Sequence, residues 1–193
     1  MIKKTLNTQQ ENDQVLGITP SKTKNRDINN IHYLYYLGGF VEGEGSNSIA
    51  ISVNKNFKYG INLQPIFNVT QHVKGIELLN SFKELFGVGS VLPKSGSPDV
   101  YVYTVKGYKN MIKYIIPFLK NYVQPFSCKT MEYDIFTELV YRSQKGDQKN
   151  KEKLIEMVHI AYSLSGKGNI RKRSLEEIIN IINDKKSYFI SKQ

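Results

Sequence analysis

The sequence predicts an α+β domain: a four-stranded antiparallel sheet with helices on one face, in the order αββαββα followed by further helices. Two observations carry this. Residues 46–53 and 61–71 alternate apolar and polar side chains around an Asn- and Gly-rich turn, and 88–92 with 100–105 form a second strand pair. Before, between and after these pairs, apolar residues return at helical spacing.

The first helix carries Tyr33, Leu34, Tyr36, Leu37, Phe40 and Val41 and runs into Gly45. In the strand that follows, Ile49, Ile51 and Val53 take one face and Ser48, Ala50 and Ser52 the other. Asn54-Lys55-Asn56-Phe57-Lys58-Tyr59-Gly60 is a turn. The next strand sets Ile61, Leu63, Phe67 and Val69 against Asn62, Gln64, Asn68 and Thr70. Pro65 has no N–H to give a ladder, so it marks an edge or a bulge. Leu78, Leu79, Phe82, Leu85 and Phe86 form a helical stripe stopped by Gly87. The second strand pair is joined by a loop over 93–99, with the phase of Thr104 against Tyr101 and Tyr103 left open. Met111, Ile112, Ile115 and Ile116 make a helix ending near Pro117. Further helices follow around 131–140 and 154–162, and Ser174-Leu175-Glu176-Glu177 is a capping box opening the last one. Residues 1–30 are polar and aperiodic, a flexible arm; 31–185 form the domain and 186–193 a C-terminal tail.

Lys and Arg number 27 against 17 Asp and Glu, a net charge of +10 over 193 residues. Such an excess points to a polyanion partner. A single cysteine, Cys128, excludes an intrachain disulfide and fits a reducing compartment. His32, His72 and His159 are scattered and make no zinc spacing with it. No apolar run is long enough to span a bilayer, so no membrane partner is expected. Abundant Asn, Lys, Ile and Tyr suit an AT-rich genome such as that of a mitochondrion or chloroplast.

The stretch Leu37-Gly38-Gly39-Phe40-Val41-Glu42-Gly43-Glu44-Gly45 holds the chemistry. Each helical glycine costs about 0.5–1 kcal/mol relative to Ala, so three of them imply another backbone pressing close. Glu44 falls where the helix macrodipole is negative and disfavours an acid. A cation beside it resolves the conflict. These residues resemble the LAGLIDADG motif of homing endonucleases, with Gly for Ala at 38, Phe for Leu at 40, Glu for Asp at 42 and 44, and Gly for Ala at 43. The same register brings Phe67-Asn68-Val69-Thr70-Gln71, Gly87-Val88-Gly89 and Pro117-Phe118-Leu119-Lys120 onto similar family segments. The resemblance covers about residues 30–185 and implies the LAGLIDADG homing endonuclease fold.

It also implies roles. Glu44 becomes the metal ligand, with the Gly43 carbonyl assisting, and Gln71 positions water. Gly75 and Tyr122 stand where the family has basic residues; Lys120 is the nearby substitute, with Lys74. A chain with one motif implies a homodimer, with Leu37, Gly38, Gly39, Val41 and Glu42 at the helix-pair seam and Glu42 in a packing role. The implied cofactor is Mg²⁺, with Mn²⁺ substituting and Ca²⁺ binding without supporting cleavage.

The polar sheet face suits a major groove. Ser46, Ser48, Ser52, Asn54, Asn56, Asn62, Gln64 and Asn68 offer donors and acceptors, with Lys94 in reach of guanine. Lys167, Arg171, Lys172 and Arg173 form a basic loop suited to phosphates. The resulting expectation is a homodimeric, Mg²⁺-dependent endonuclease cutting double-stranded DNA at a long pseudo-palindromic site and spreading its intron. The alternatives are an intron RNA maturase and a catalytically silent DNA-binding regulator on the same fold.

Overall fold

The computed structural model describes residues 26–164 and 171–190. Most of the expected N-terminal arm, and Lys167 of the basic loop, lie outside them.

Helix α1 (Ile31–Glu44) starts where the Asn30 side chain accepts the His32 N–H, and it buries Tyr33, Leu37, Gly38 and Val41. It passes into strand β1 (Gly45–Val53) without a loop. Gly45 makes this possible. Its N–H bonds the Val41 carbonyl, and a Cβ there would lie 2.4 Å from that oxygen. Strand β2 (Ile61–His72), helix α2 (Ile76–Phe86), β3 (Ser90–Lys94) and β4 (Ser97–Lys106) complete two helix-plus-hairpin units.

The sheet order is β1-β2-β4-β3, all neighbours antiparallel. Gly45 pairs with Val69 and Val53 with Ile61, so every second residue of both strands turns inward. Ile49, Ile61, Leu63, Phe67, Val69, Tyr103 and Val105 are buried under the helices. Phe82 stacks on Tyr103, and Phe86 and Phe118 close the aromatic centre, with ring centroids 5.3–6.4 Å apart. Burial pushes the Tyr103 phenol well up, and its hydroxyl donates to the Val88 carbonyl at 2.6 Å.

The expected fold class holds, with local corrections. Pro65 sits in β2, central in the sheet order, yet on a locally open edge and not at a bulge. It is tolerated because the β2–β4 ladder runs only from Ile66 to His72. The 93–99 loop shrinks to Ser95-Gly96, with Gly96 at φ +76°, so both flanking segments join the hairpin. Thr104 pairs with Asn68 on the open face, while Tyr103 and Tyr101 face the helices. Pro117 does not end its helix. A π segment (Met111–Ile115) precedes it, in which the Ile116 N–H reaches back to the Met111 carbonyl, and Pro117 then opens helix α3 (Ile116–Tyr122). Helices α4 (Thr130–Lys145), α5 (Lys151–Ser163) and α6 (Leu175–Asn183) follow. The expected C-terminal tail begins as helix α7 (Lys185–Ile190), whose Tyr188 and Phe189 are half-buried.

Candidate active site and nucleic-acid interface

Glu44 is the last residue of α1 and is exposed. Because Gly45 pairs with Val69, Gln71, one residue before the end of β2, lies at the same corner of the sheet. The Gln71 side chain folds over Gly75: a Cβ on Gly75 would meet its Cγ at 2.8 Å. Its Oε1 accepts the His72 N–H at 2.7 Å. Gly75 thus makes room for the glutamine where a larger residue would displace it.

Glu42 is held inside its own chain. The Tyr133 hydroxyl donates to its carboxylate at 3.2 Å and the Cys128 thiol at 3.5 Å. Burial alone would raise this carboxyl; hydrogen bonds from Ser127, Cys128 and Tyr133, with the Lys129 charge, more than offset it and hold the group below its ordinary range. Burial and the Glu42 charge push the Tyr133 phenol up, so it remains a donor. A depressed carboxylate stabilises the fold fully above the ordinary glutamate range and loses that contribution as pH falls through the lowered value. Thermal unfolding from neutral to acidic pH should show this acid loss in the wild type and less of it in Glu42→Gln. Parallel curves for the two would remove Glu42 as a contributor.

Sequence reasoning missed Lys129. Its Nζ donates to the Glu42 carbonyl at 2.6 Å, at the carbonyl end of the helix that ends in Glu44. It precedes α4 in a short loop, where no periodicity singles it out. Lys120, which the resemblance favoured, is exposed on α3.

On the open face, Ser46 stands opposite Asn68, Ala50 opposite Gln64 and Ser52 opposite Asn62, with Ser48 beside Ile66. The Thr104 hydroxyl donates to Asn68 Oδ1 at 2.7 Å. Asn54 and Asn56 sit in the β1–β2 turn, where Asn54 Oδ1 accepts the Asn56 N–H. Lys94 is exposed at the end of β3. No acid is among the paired residues of the four strands; the one acid they contain, Asp99, is exposed in β4 where the β3–β4 register shifts.

A LAGLIDADG endonuclease family model matches residues 37–140. Homing endonuclease I-ApeII of Aeropyrum pernix is 31% identical over 151 residues, which is 76% of this chain and 88% of that protein. The chain belongs to the LAGLIDADG endonuclease family. The archaeal intron-encoded homing endonuclease I-Vdi141I, solved in complex with DNA, superposes with a TM-score of 0.71 at 33% identity, covering 79% of this chain and 95% of that one. The group I intron-encoded I-CeuI, also solved with DNA, gives 0.74 at 25% identity, covering 94% and 89%.

The LAGLIDADG helix corrects the expected seam. Leu37 and Val41 are fully buried in the chain's own core. Gly38 faces α3, where a Cβ would lie 2.2 Å from the Tyr122 carbonyl oxygen. Glu42 is engaged as above. Of the five expected seam residues, Gly39 alone faces outward. Exposed on the same side of the helix are Ile31, Tyr35 and Gly43, spaced four apart with Gly39, and among the described residues nothing lies within 4 Å of a Cβ on Gly39 or Gly43. The basic loop is corrected too. Arg171 donates to the carbonyls of Ile49 (3.1 Å) and Ala161 (2.6 Å) and lies over the Tyr162 ring, clamping α5 to strand β1. Arg173 bonds Glu177 at 2.9 Å and the Tyr188 hydroxyl at 3.4 Å. Among the described residues of that loop, Lys172 is the exposed cation.

Proposed function

We propose that this LAGLIDADG protein is a homodimeric, metal-dependent endonuclease that cuts both strands of a long, pseudo-palindromic DNA site, so promoting the spread of its host intron. The observation that carries the reading is the pairing, on one chain, of a polar sheet face whose paired residues include no acid with a carboxylate at the end of an open glycine-bearing helix.

The Ile31-Tyr35-Gly39-Gly43 stripe suits close approach of a second α1. That approach would bring two Glu44 carboxylates together. Among the described residues no three His, Cys, Asp or Glu stand together in one chain, which suits a site assembled from two. Exposed carboxylates and the Gly43 carbonyls are hard oxygen donors, and they fit Mg²⁺ or Mn²⁺, with Ca²⁺ binding unproductively. When bound, the metal stabilises phosphate charge and lowers the pKa of water. Gln71, at the same corner of the sheet, would orient an attacking water. Lys129 neutralises the negative end of α1 and fixes its last turn. The sheet face, with Lys94 in reach of guanine, reads base edges while Lys172 meets phosphates. The composition fits expression from an AT-rich organellar genome.

The direct test is incubation of the purified chain with a randomised duplex library and Mg²⁺, then sequencing of cut ends. Discrete ends around a defined motif are expected; uncut or randomly nicked DNA would refute the reading. A finer prediction separates reading from steering. Asn62→Ala and Gln64→Ala should relax base preference with the salt slope of binding nearly intact, whereas Lys172→Ala should lower that slope by about 0.9 for each phosphate it no longer neutralises. Equal effects of all three on the slope would contradict this division.

A further inference from the structure

The half of β2 that carries Asn62 and Gln64 lacks a strand on one side. The β2–β4 ladder begins only at Ile66, opposite Lys106. Beyond it, Gly107 at φ +87° turns the chain away after its N–H has donated to the Pro65 carbonyl at 3.0 Å. Pro65 has no N–H to offer. The next exposed backbone pair along this edge belongs to Leu63.

A single side chain occupies that place. Gln148 Oε1 accepts the Leu63 N–H at 3.2 Å, and Gln148 Nε2 donates to the Leu63 carbonyl at 3.3 Å. The primary amide thus presents one acceptor and one donor to the strand, as a residue of a neighbouring strand would. Nε2 also donates to the buried Ser143 hydroxyl at 3.0 Å, and that hydroxyl donates to the Leu139 carbonyl at 2.8 Å. The turn holding Gln148 is itself fixed. Gly146 adopts φ +81° at the end of α4, and Asp147 takes Arg142 at 3.2 Å and Lys153 at 3.0 Å. Arg142 further binds Glu156 at 2.8 Å on α5. The anchoring is therefore remote from the Glu44 corner.

We propose that Gln148 is a specificity-positioning residue, a one-residue surrogate strand that sets the twist and rigidity of Ile61–Pro65 and so aims Asn62 and Gln64 at base edges. This rests on the reading of the open sheet face as the DNA-contacting surface. Gln148 borders the same cavity as Asn62 and Gln64, but its hydrogen bonds go to the Leu63 backbone and to Ser143, so the effect passes through the backbone of Leu63.

The test compares Gln148→Leu and Gln148→Glu with Asn62→Ala and Gln64→Ala. Each is profiled for cleavage across a library of single-base variants of the cognate site, alongside amide exchange at Leu63. Gln148→Glu keeps the acceptor for the Leu63 N–H and loses both donated bonds, so it serves if the leucine variant fails to fold. Expected are faster exchange at Leu63 in Gln148→Leu with Val69 unchanged, and a fivefold to tenfold loss of discrimination, about one bidentate contact's worth, confined to the base pairs that Asn62 and Gln64 read. Turnover on the cognate site at saturation should match wild type, a split that general destabilisation would not produce. Relaxed preference in the Asn62 and Gln64 variants with none in either Gln148 variant would overturn this inference alone. No change in the Asn62 and Gln64 variants themselves would remove the sheet-face reading and this inference with it.

Discussion

Glu44→Gln should abolish cleavage of both strands while leaving sequence-specific binding intact. The substitution keeps shape and removes the charge at the one exposed carboxylate that ends α1. If a metal shared between two chains supplies several kcal/mol of transition-state stabilisation, cutting should fall on the order of 10³-fold or more. Metal-free binding should hold or improve, because two like charges facing the phosphates are gone. Glu42→Gln is the internal control. Its carboxylate meets Tyr133 and Cys128 of the same chain, and the Lys129 bond goes to the backbone carbonyl, which the substitution retains. That variant should lose stability and keep residual cutting. A duplex-cleavage gel beside a binding assay in Ca²⁺, run on both variants, decides the matter. Normal cutting by the Glu44 variant would end the proposed mechanism whatever family the chain belongs to.

These two acids show how far the sequence carried the site. Glu44 was legible because an acid at a helix C-terminus is a local conflict, visible without tertiary information. The sheet face was legible for a similar reason, since a period of two survives any packing arrangement and the acids are missing from one phase. What lay out of reach depended on rotation and on long-range contact. The outward face of α1 differs from the inward one by a single residue step of about 100°, so Gly38 and Gly39 cannot be told apart until α3 is placed against one of them. Leu37 and Val41 went to the wrong side for the same reason. Lys129, Arg171 and Gln148 act through backbone carbonyls or amides 87, 122 and 85 positions away, and no spacing rule reports such partners. A basic run reads as a phosphate loop whether its arginines face solvent or, like Arg171, clamp two elements together. Pro117 misled because a π turn absorbed its missing donor, an irregularity that periodicity alone does not anticipate.

The adjacent glycines of α1 should respond in opposite ways. In Gly38→Ala the added methyl would sit 2.2 Å from the Tyr122 carbonyl oxygen and 2.9 Å from its carbon. Those are backbone atoms of α3 and cannot swing aside, so one helix must shift against the aromatic core beneath. Overpacking of this kind costs about 1–3 kcal/mol and occasionally more. At roughly 2–4 °C per kcal/mol for a chain of this size, the melting temperature should fall visibly. Gly39→Ala has nothing within 4 Å and should gain about 0.5–1 kcal/mol of helix stability in the isolated chain. Gly39→Leu then separates fold from assembly. Among the described residues nothing lies within 4 Å of a Cβ there, so the monomer should fold, but the bulk falls where a second α1 is proposed to pack. Light scattering should show dimers for wild type and monomers for Gly39→Leu, with circular dichroism unchanged. A Gly39→Leu variant that remains fully dimeric would exclude the Ile31-Tyr35-Gly39-Gly43 stripe as the seam, and with it the pairing of two Glu44 carboxylates across a shared metal.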